Sequence, residues 1–337
     1  MRYFIVIVPR RIRTMRTDEE NQQNVDVTPP PSIWRLGGLK WRVLALRVWD
    51  ELAYGHILVH SAALAFYFLF ALFPLLIFLV NLTGFFVGRG TEMRSSLLAY
   101  IRRLAPASAF TLIHDLIDEI ATGAGGGKLL LGLLAALWFG SLGVAALSES
   151  LNAMYGVRES RSWWRVRAAA AGLTVVLMIV TFTALLLLVY GHEAGETLAG
   201  QLGLGGQFAL LWAIVRVPLA VAFVLVAFAV VYYFTPDLKD QKWYWITPGS
   251  LVGVMLWLAA STILSTYLRY ADTYSVTYGS LAGVMVMMLW FYVTGASILL
   301  GGKINSEIEH AAARAGVPGA KLHGERDPKE HEVVSDY

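Results

Sequence analysis

Six apolar runs dominate this chain, over residues 61–87, 128–147, 168–190, 208–234, 247–268 and 279–301. A helix needs about 20 residues to cross a hydrocarbon core ~30 Å thick, and each run meets that length. The expected fold is therefore all-α: a polytopic membrane helix bundle with six transmembrane helices and amphipathic interfacial helices beside them. Charge content agrees, since only 15% of the residues are charged against about 25% in a soluble domain. Residues 36–310 are expected to form the transmembrane domain, with residues 1–35 and 311–337 as disordered cytoplasmic tails. In the first tail the Asp18–Asn24 polar run and Pro29–Pro31 have the composition of a linker. The apolar stretch from Tyr3 to Val8 is too short for a signal-peptide core and has no small-residue cleavage site after it. Met15 is an alternative start.

Lys and Arg are spread unevenly between the runs. Six spans put twenty of them on one side of the membrane and five on the other, four of the five in one long loop. The positive-inside rule then places both termini in the cytoplasm, and the expected location is a bacterial inner membrane. Residues 39–53 read as an amphipathic helix. Trp41, Leu44, Ala45, Val48, Trp49 and Leu52 share one face and Lys40, Arg47 and Glu51 another, a pattern suited to the membrane interface. The long loop after the first span carries two further helical stripes, Met93 to Leu104 and Leu112 to Ile120, separated by Pro106. His114 and Asp118 in the second stripe read as a solvated face rather than a metal site.

Two runs open on nearly the same words, Gly249-Ser-Leu-Val-Gly-Val-Met255 and Gly279-Ser-Leu-Ala-Gly-Val-Met285. Glycines four apart lie near each other on a helix face and let a second backbone approach closely. Gly249, Gly253, Gly279 and Gly283 are therefore helix-packing candidates, at a seam between the fifth and sixth spans. Pro74, midway along the first span, removes a backbone hydrogen bond and predicts a kink.

Polar residues at depth are the candidates for function. Arg216 lies about eight residues inside the fourth span, just before Pro218. It either snorkels to headgroups or faces a cavity, where a guanidinium would suit an anionic substrate or lipid phosphate. Glu149 and Asn152 end the second span, and Lys303, Asn305 and Glu307 end the sixth. Pairing between these two ends is expected.

Several pieces, in order over about 250 residues, resemble the YihY/BrkB family of bacterial inner-membrane proteins, historically labelled ribonuclease BN. They are Ala62–Tyr67 with Phe73–Leu76, Leu151–Tyr155 with Glu159–Arg161 and Trp164, Tyr232–Asp237, Pro248-Gly249 with Trp257, and Tyr278–Leu281 with Leu289-Trp290 and Leu300–Glu307. The resemblance implies six helices, adds Tyr67 to the substrate-contact candidates Arg216 and Pro74, and adds Arg161 and Asp237 to the polar cluster. It also implies an association with serum resistance and a proposed movement of lipid-like molecules. Members often read Gly-Ala-Glu or Gly-Ala-Gln where this chain has Gly301-Gly302-Lys303, so a role needing an acid there is in doubt.

The functional expectation is a transporter or flippase for an anionic amphiphile or lipid, the alternative being a non-transporting envelope scaffold. No enzyme constellation is present. Cysteine is absent, and with it disulfides, thiolate zinc sites and cysteine nucleophiles. The seven histidines form no His-x-His or His-Glu-x-x-His pattern, no phosphate loop occurs, and the ribonuclease label is judged incorrect. No cofactor or metal is expected. The expected partners are membrane lipids and, in an oligomer, further copies of the chain, with no nucleic acid.

Overall fold

The computed structural model describes residues 33–54, 56–86, 126–202, 205–239, 241, 244, 246–270 and 280–326. A 3-10 turn over Ile33–Gly38 leads into α1 (Trp41–Tyr54), and six long helices follow. These are α2 (Ile57–Phe86), α3 (Gly126–Tyr155), α4 (Trp163–Leu202), α5 (Gly205–Phe234), α6 (Pro248–Tyr270) and α7 (Ser280–Arg314). All six are long and apolar enough to cross a membrane, and the described residues contain no strand. The expected loop helices between Met93 and Ile120, and Gly279, lie outside the described residues.

The helix ends are encoded locally. Gly156 (φ 70°) ends α3 and Gly316 (φ 75°) ends α7. In each case the next residue's N–H reaches back five residues, from Val157 to Asn152 and from Val317 to Ala312. That is the pairing by which a left-handed glycine satisfies the last carbonyls of a helix. Thr247 caps the start of α6: its hydroxyl accepts from Ser250 N–H at 3.0 Å, and Ser250 Oγ accepts from Thr247 N–H at 2.9 Å. Pro248 takes the first helical position, where a missing N–H costs nothing.

Consecutive spans pack on one another and α7 packs on α2, so the six form a ring in chain order; α7 also touches α3, α1 and the 3-10 turn. The ring is filled by Leu64, Leu151, Phe228, Tyr232, Val254 and Leu299 among others. Tyr232 donates its hydroxyl to the Ile298 carbonyl at 2.8 Å. It fits because its neighbours are glycines: a Cβ on Gly253 would stand 3.1 Å from that hydroxyl, and one on Gly301 would overlap it.

Burial is uneven along the spans. Buried residues gather where α2, α4 and α6 begin and where α3, α5 and α7 end, which is one end of the bundle. We call it the polar end. Toward the other end the helices show large apolar side chains outward, among them Phe70, Leu131, Ile179, Ile214, Ile263 and Met285.

The C-terminal region corrects one expectation. Residues 311–326 are not a disordered tail: α7 continues to Arg314, and the segment after it folds back onto the polar end. Lys321 is 2% exposed and pairs with Glu309 at 3.4 Å, while Glu325 accepts from Leu322 N–H at 2.7 Å. The Lys321 pair and a hydrogen bond from Lys239 N–H to the Arg326 carbonyl at 3.0 Å reach back to the bundle, which the segment's polar, glycine-containing composition does not reveal. Of residues 1–35, only 33–35 are described, in the 3-10 turn.

Candidate functional site: a polar layer at one end of the ring

The polar end carries three linked groups of side chains. The first centres on Arg161, in the loop between α3 and α4. Its guanidinium donates to both Glu159 oxygens at 2.7 and 2.8 Å, to Ser148 Oγ at 2.9 Å and to the Thr235 carbonyl at 3.0 Å. Asp237 stands 3.7 Å from Arg161 Nε and 3.6 Å from an Arg326 nitrogen. Asp237 also accepts from the Ser160 N–H and hydroxyl at 2.8 and 2.6 Å. Asn152 closes the network, donating to Glu159 at 3.0 Å and accepting from Asp237 N–H at 2.7 Å. Partial burial alone would raise the Glu159 carboxyl, but the hydrogen bonds and charge of Arg161, helped by Asn152, hold it below its ordinary value. The same hydrogen bonds raise Arg161 against the opposing effect of burial, with the charges of Glu159 and Asp237 contributing. The network ties the end of α3, the loop between α3 and α4, the segment after α5 and the C-terminal segment together.

The second group fastens α1 to α7. Lys303 is 8% exposed at its side chain and pairs with Glu307 at 2.9 Å and Glu51 at 3.5 Å. Arg47 reaches Glu307 at 3.2 Å. Charges this well buried persist only when paired, and Glu307 has two cationic partners. Beneath them Leu44 packs on Ile304 and Ile308. On the neighbouring face of α7, Asn305 accepts from Gly249 N–H at 2.9 Å and donates to Thr247 Oγ1 at 3.0 Å.

The third group borders a cavity of about 280 Å³ between the end of α5, the start of α6, the end of α7 and the C-terminal segment. Tyr155, Tyr233, Tyr244, Gln241, Glu309 and Lys321 are in its walls. Below it Ser306 donates to the Met154 carbonyl at 3.0 Å, and the His310 and His323 rings meet edge to face at 5.2 Å.

The candidate residues thus divide. Asn152, Arg161 and Asp237 share one network, Lys303 and Glu307 another, and Asn305 a third contact. The ends of α3 and α7 are joined through Ser306 and the Met154 carbonyl and not through the expected residues, which link α3 to the segment after α5 and α7 to α1 and α6. Glu149 is exposed on α3. Arg216 is half-buried on α5, away from the cavity, and its neighbours Ile214, Val215, Val217 and Leu219 are all exposed. Pro74 is half-buried within α2, and Tyr67 lies about two turns before it, beside Gly143 of α3. Gly249 and Gly253 are close-approach points, whereas a Cβ on Gly283 would meet nothing within 4 Å. Sequence reasoning missed Ser148, Thr235, Glu309, Lys321 and Arg326. Only Lys321 and Arg326 carried a signal, as charges in a segment otherwise rich in small residues.

Residues 48–323 match the model of a family described as Virulence factor BrkB. The protein of Bacillus subtilis named "Putative ribonuclease-like protein YfkH" is 37% identical over 246 residues, 73% of this chain and 88% of that one. UPF0761 membrane protein IL2447 of Idiomarina loihiensis is 23% identical over 49% of this chain and 56% of its own length. A UPF0761 membrane protein of Alkalilimnicola ehrlichii is 27% identical over 86% of this chain and 65% of its own length. No solved structure matches the chain.

Proposed function

The chain belongs to the virulence factor BrkB family of membrane proteins, and from that premise we propose that it moves an anionic amphiphile such as a lipid across the bacterial inner membrane. The observation that carries this reading is the uneven packing of the ring. The polar end is sealed by the Tyr232 core and the Arg161 network, while the other half of each span leaves large apolar surfaces uncovered. A ring closed at one end and loosely packed at the other admits a lipid-like molecule from the side and stops it from crossing unaided. Pro74 and Pro218 lie toward the loosely packed half, and a proline inside a helix is a place where it can bend. Arg216 is in that half and half-buried, and a guanidinium can bind a phosphate through two parallel hydrogen bonds. In this reading the polar end and both termini face the cytoplasm, in keeping with the distribution of Lys and Arg.

A second reading, a non-transporting envelope scaffold, draws support from the lack of acidic residues midway along the spans, since proton-coupled carriers use such residues. The word ribonuclease belongs to the relative's name. Metal-dependent RNA cleavage needs clustered carboxylates or histidines, and among the described residues no group of three or more is placed to hold a metal ion.

The test is reconstitution into vesicles carrying fluorescent phosphatidylglycerol, with a membrane-impermeant quencher reporting the outer leaflet. The intact protein should speed the exchange of the label between leaflets, and Arg216→Gln should slow it by about tenfold, the loss of one charge-assisted contact. Exchange no faster than in empty vesicles would favour the scaffold. Unchanged exchange in a folded Arg216→Gln protein would remove Arg216 from the mechanism.

A further inference from the structure

At the polar end the buried and half-buried cations are matched by acids: Arg47, Arg161, Lys303, Lys321 and Arg326 each pair with a carboxylate. Arg167 does not. It is half-buried in α4, four residues after Trp163, which puts it about 6 Å inside the span. Its side chain makes no hydrogen bond or ion pair with any described residue. Only its Nε is closed off, so the terminal nitrogens are open as well as unpaired. Its surroundings are aromatic. The guanidinium carbon stands 4.7 Å from the centre of the Trp138 ring on α3 and 6.0 Å from that of Trp163, and Trp163 meets Trp164 edge to face at 4.4 Å. All three indoles are exposed, so the group lies open at the seam between α3 and α4. The rings attract the charge but offer the N–H donors no oxygen. A charge inside a span without a counterion is costly.

We propose that this seam of Arg167, Trp138 and Trp163 holds the phosphate of an acidic phospholipid in the leaflet around the polar end. A phosphodiester takes parallel hydrogen bonds from the open nitrogens of a guanidinium, and the Trp138 ring holds that group in place without using its donors. Indole rings favour the headgroup level of a bilayer, where the phosphate lies. Leu134 and Leu131, one and two turns from Trp138 along α3 toward the other end, are exposed and give an acyl chain its track. The net charge of the lipid matters. Glu149, on the same face of α3 about three turns nearer the polar end, makes no ion pair with Arg167, so the seam keeps its positive charge. A zwitterion would bring its own cation and leave that charge in place, whereas a net anion cancels it. The site is in the other half of the bundle from Arg216 and needs no lipid to cross the ring.

Native mass spectrometry of the full-length protein, in detergent containing phosphatidylglycerol or phosphatidylcholine, tests this. The first phosphatidylglycerol should bind saturably and severalfold more tightly than phosphatidylcholine. Arg167→Gln should weaken it about tenfold, as expected for loss of a charge-assisted contact. Arg167→Lys should weaken it severalfold, because an ammonium keeps the charge and not the planar fork, and so should Trp138→Leu. Arg35→Gln, which removes an exposed cation elsewhere at the polar end, should leave binding unchanged. If Arg167→Gln fails to fold, Arg167→Lys and Trp138→Leu take its place. Equal binding of the two lipids or unchanged binding in the folded variants would overturn the assignment. An equal loss in Arg35→Gln would do the same by showing a diffuse surface attraction, and displacement of the lipid by millimolar inorganic phosphate would give the seam to a free anion instead. None of these readouts depends on movement between leaflets, so translocation stands or falls separately.

Discussion

Asn305 Oδ1 accepts a hydrogen bond from the backbone N–H of Gly249 at 2.9 Å, joining α7 to the first turn of α6. The contact exists because both backbones are bare at this crossing: a Cβ on Gly249 would overlap the Gly301 carbonyl. Neither backbone can give way as a flexible side chain would.

Gly249→Ala should therefore destabilise the folded protein by about 2–3 kcal/mol, the upper part of the range for overpacking. Gly283→Ala, where a Cβ meets nothing within 4 Å, should lie within about 0.5 kcal/mol of the parent. Thermal unfolding in one detergent, measured side by side, checks the pair. Equal losses would show that glycine serves the helices themselves and not their crossing.

The two Gly-Ser-Leu phrases look alike in sequence yet differ in this respect, which marks where sequence reading ends. Six spans were legible because hydrophobic length is a local property, and α1 was legible because its period is. The close approach at Gly249 and Gly253 was legible as spacing, but the same spacing at Gly283 has no partner, because a glycine pair states that a neighbour can approach and not that one does. The polar partners were legible as residues and not as pairs. Asp237 meets Ser160 and Asn152 across about 80 positions of chain, and nothing local specifies such a match. Lys321 read as part of a tail because its partner Glu309 lies on α7, beyond a glycine turn.

Lys303 makes two ion pairs of different worth. Glu307 has an 11% exposed side chain and Glu51 a 29% exposed one. Lys303→Met should cost about 2–3 kcal/mol, because it takes the nearest cation from the buried Glu307 carboxylate and leaves Arg47 as its partner. Glu51→Gln should cost no more than about 1 kcal/mol, as at a solvated ion pair. Chemical unfolding monitored by tryptophan fluorescence separates the two.

Glu159 is held below its ordinary value of 4.5 by Arg161. A depressed carboxyl contributes stability that is full above its unfolded value and is lost as pH falls through the folded one. Stability should thus fall below pH ~4.5, and Glu159→Gln should flatten that part of the profile while lowering stability at neutral pH. Melting temperatures across pH 3 to 7 (about four units) give the readout. A profile of unchanged slope would assign the acid sensitivity to other carboxylates.

Gly156 combines a φ of 70° with the His323 ring lying where a Cβ would go. Gly156→Ala should strain the end of α3 by about 1–2 kcal/mol and push away the segment holding His323. Limited proteolysis should then cut within residues 315–326 faster than in the parent, with the spans intact. Unchanged cleavage would show that Lys321 and Arg326 hold the segment without help from the packing of His323 on Gly156.

The concentration of buried side chains at the polar end also bears on how the molecule responds to its surroundings. One leaflet surrounds a stiff collar of interlocked helix ends. The other surrounds span halves in which few of the described side chains are buried, so that acyl chains supply a larger share of the contacts. Changes in lipid thickness or lateral pressure should therefore register first in the loosely held half, and hydrogen exchange should report it as shallow protection there beside deep protection at the collar.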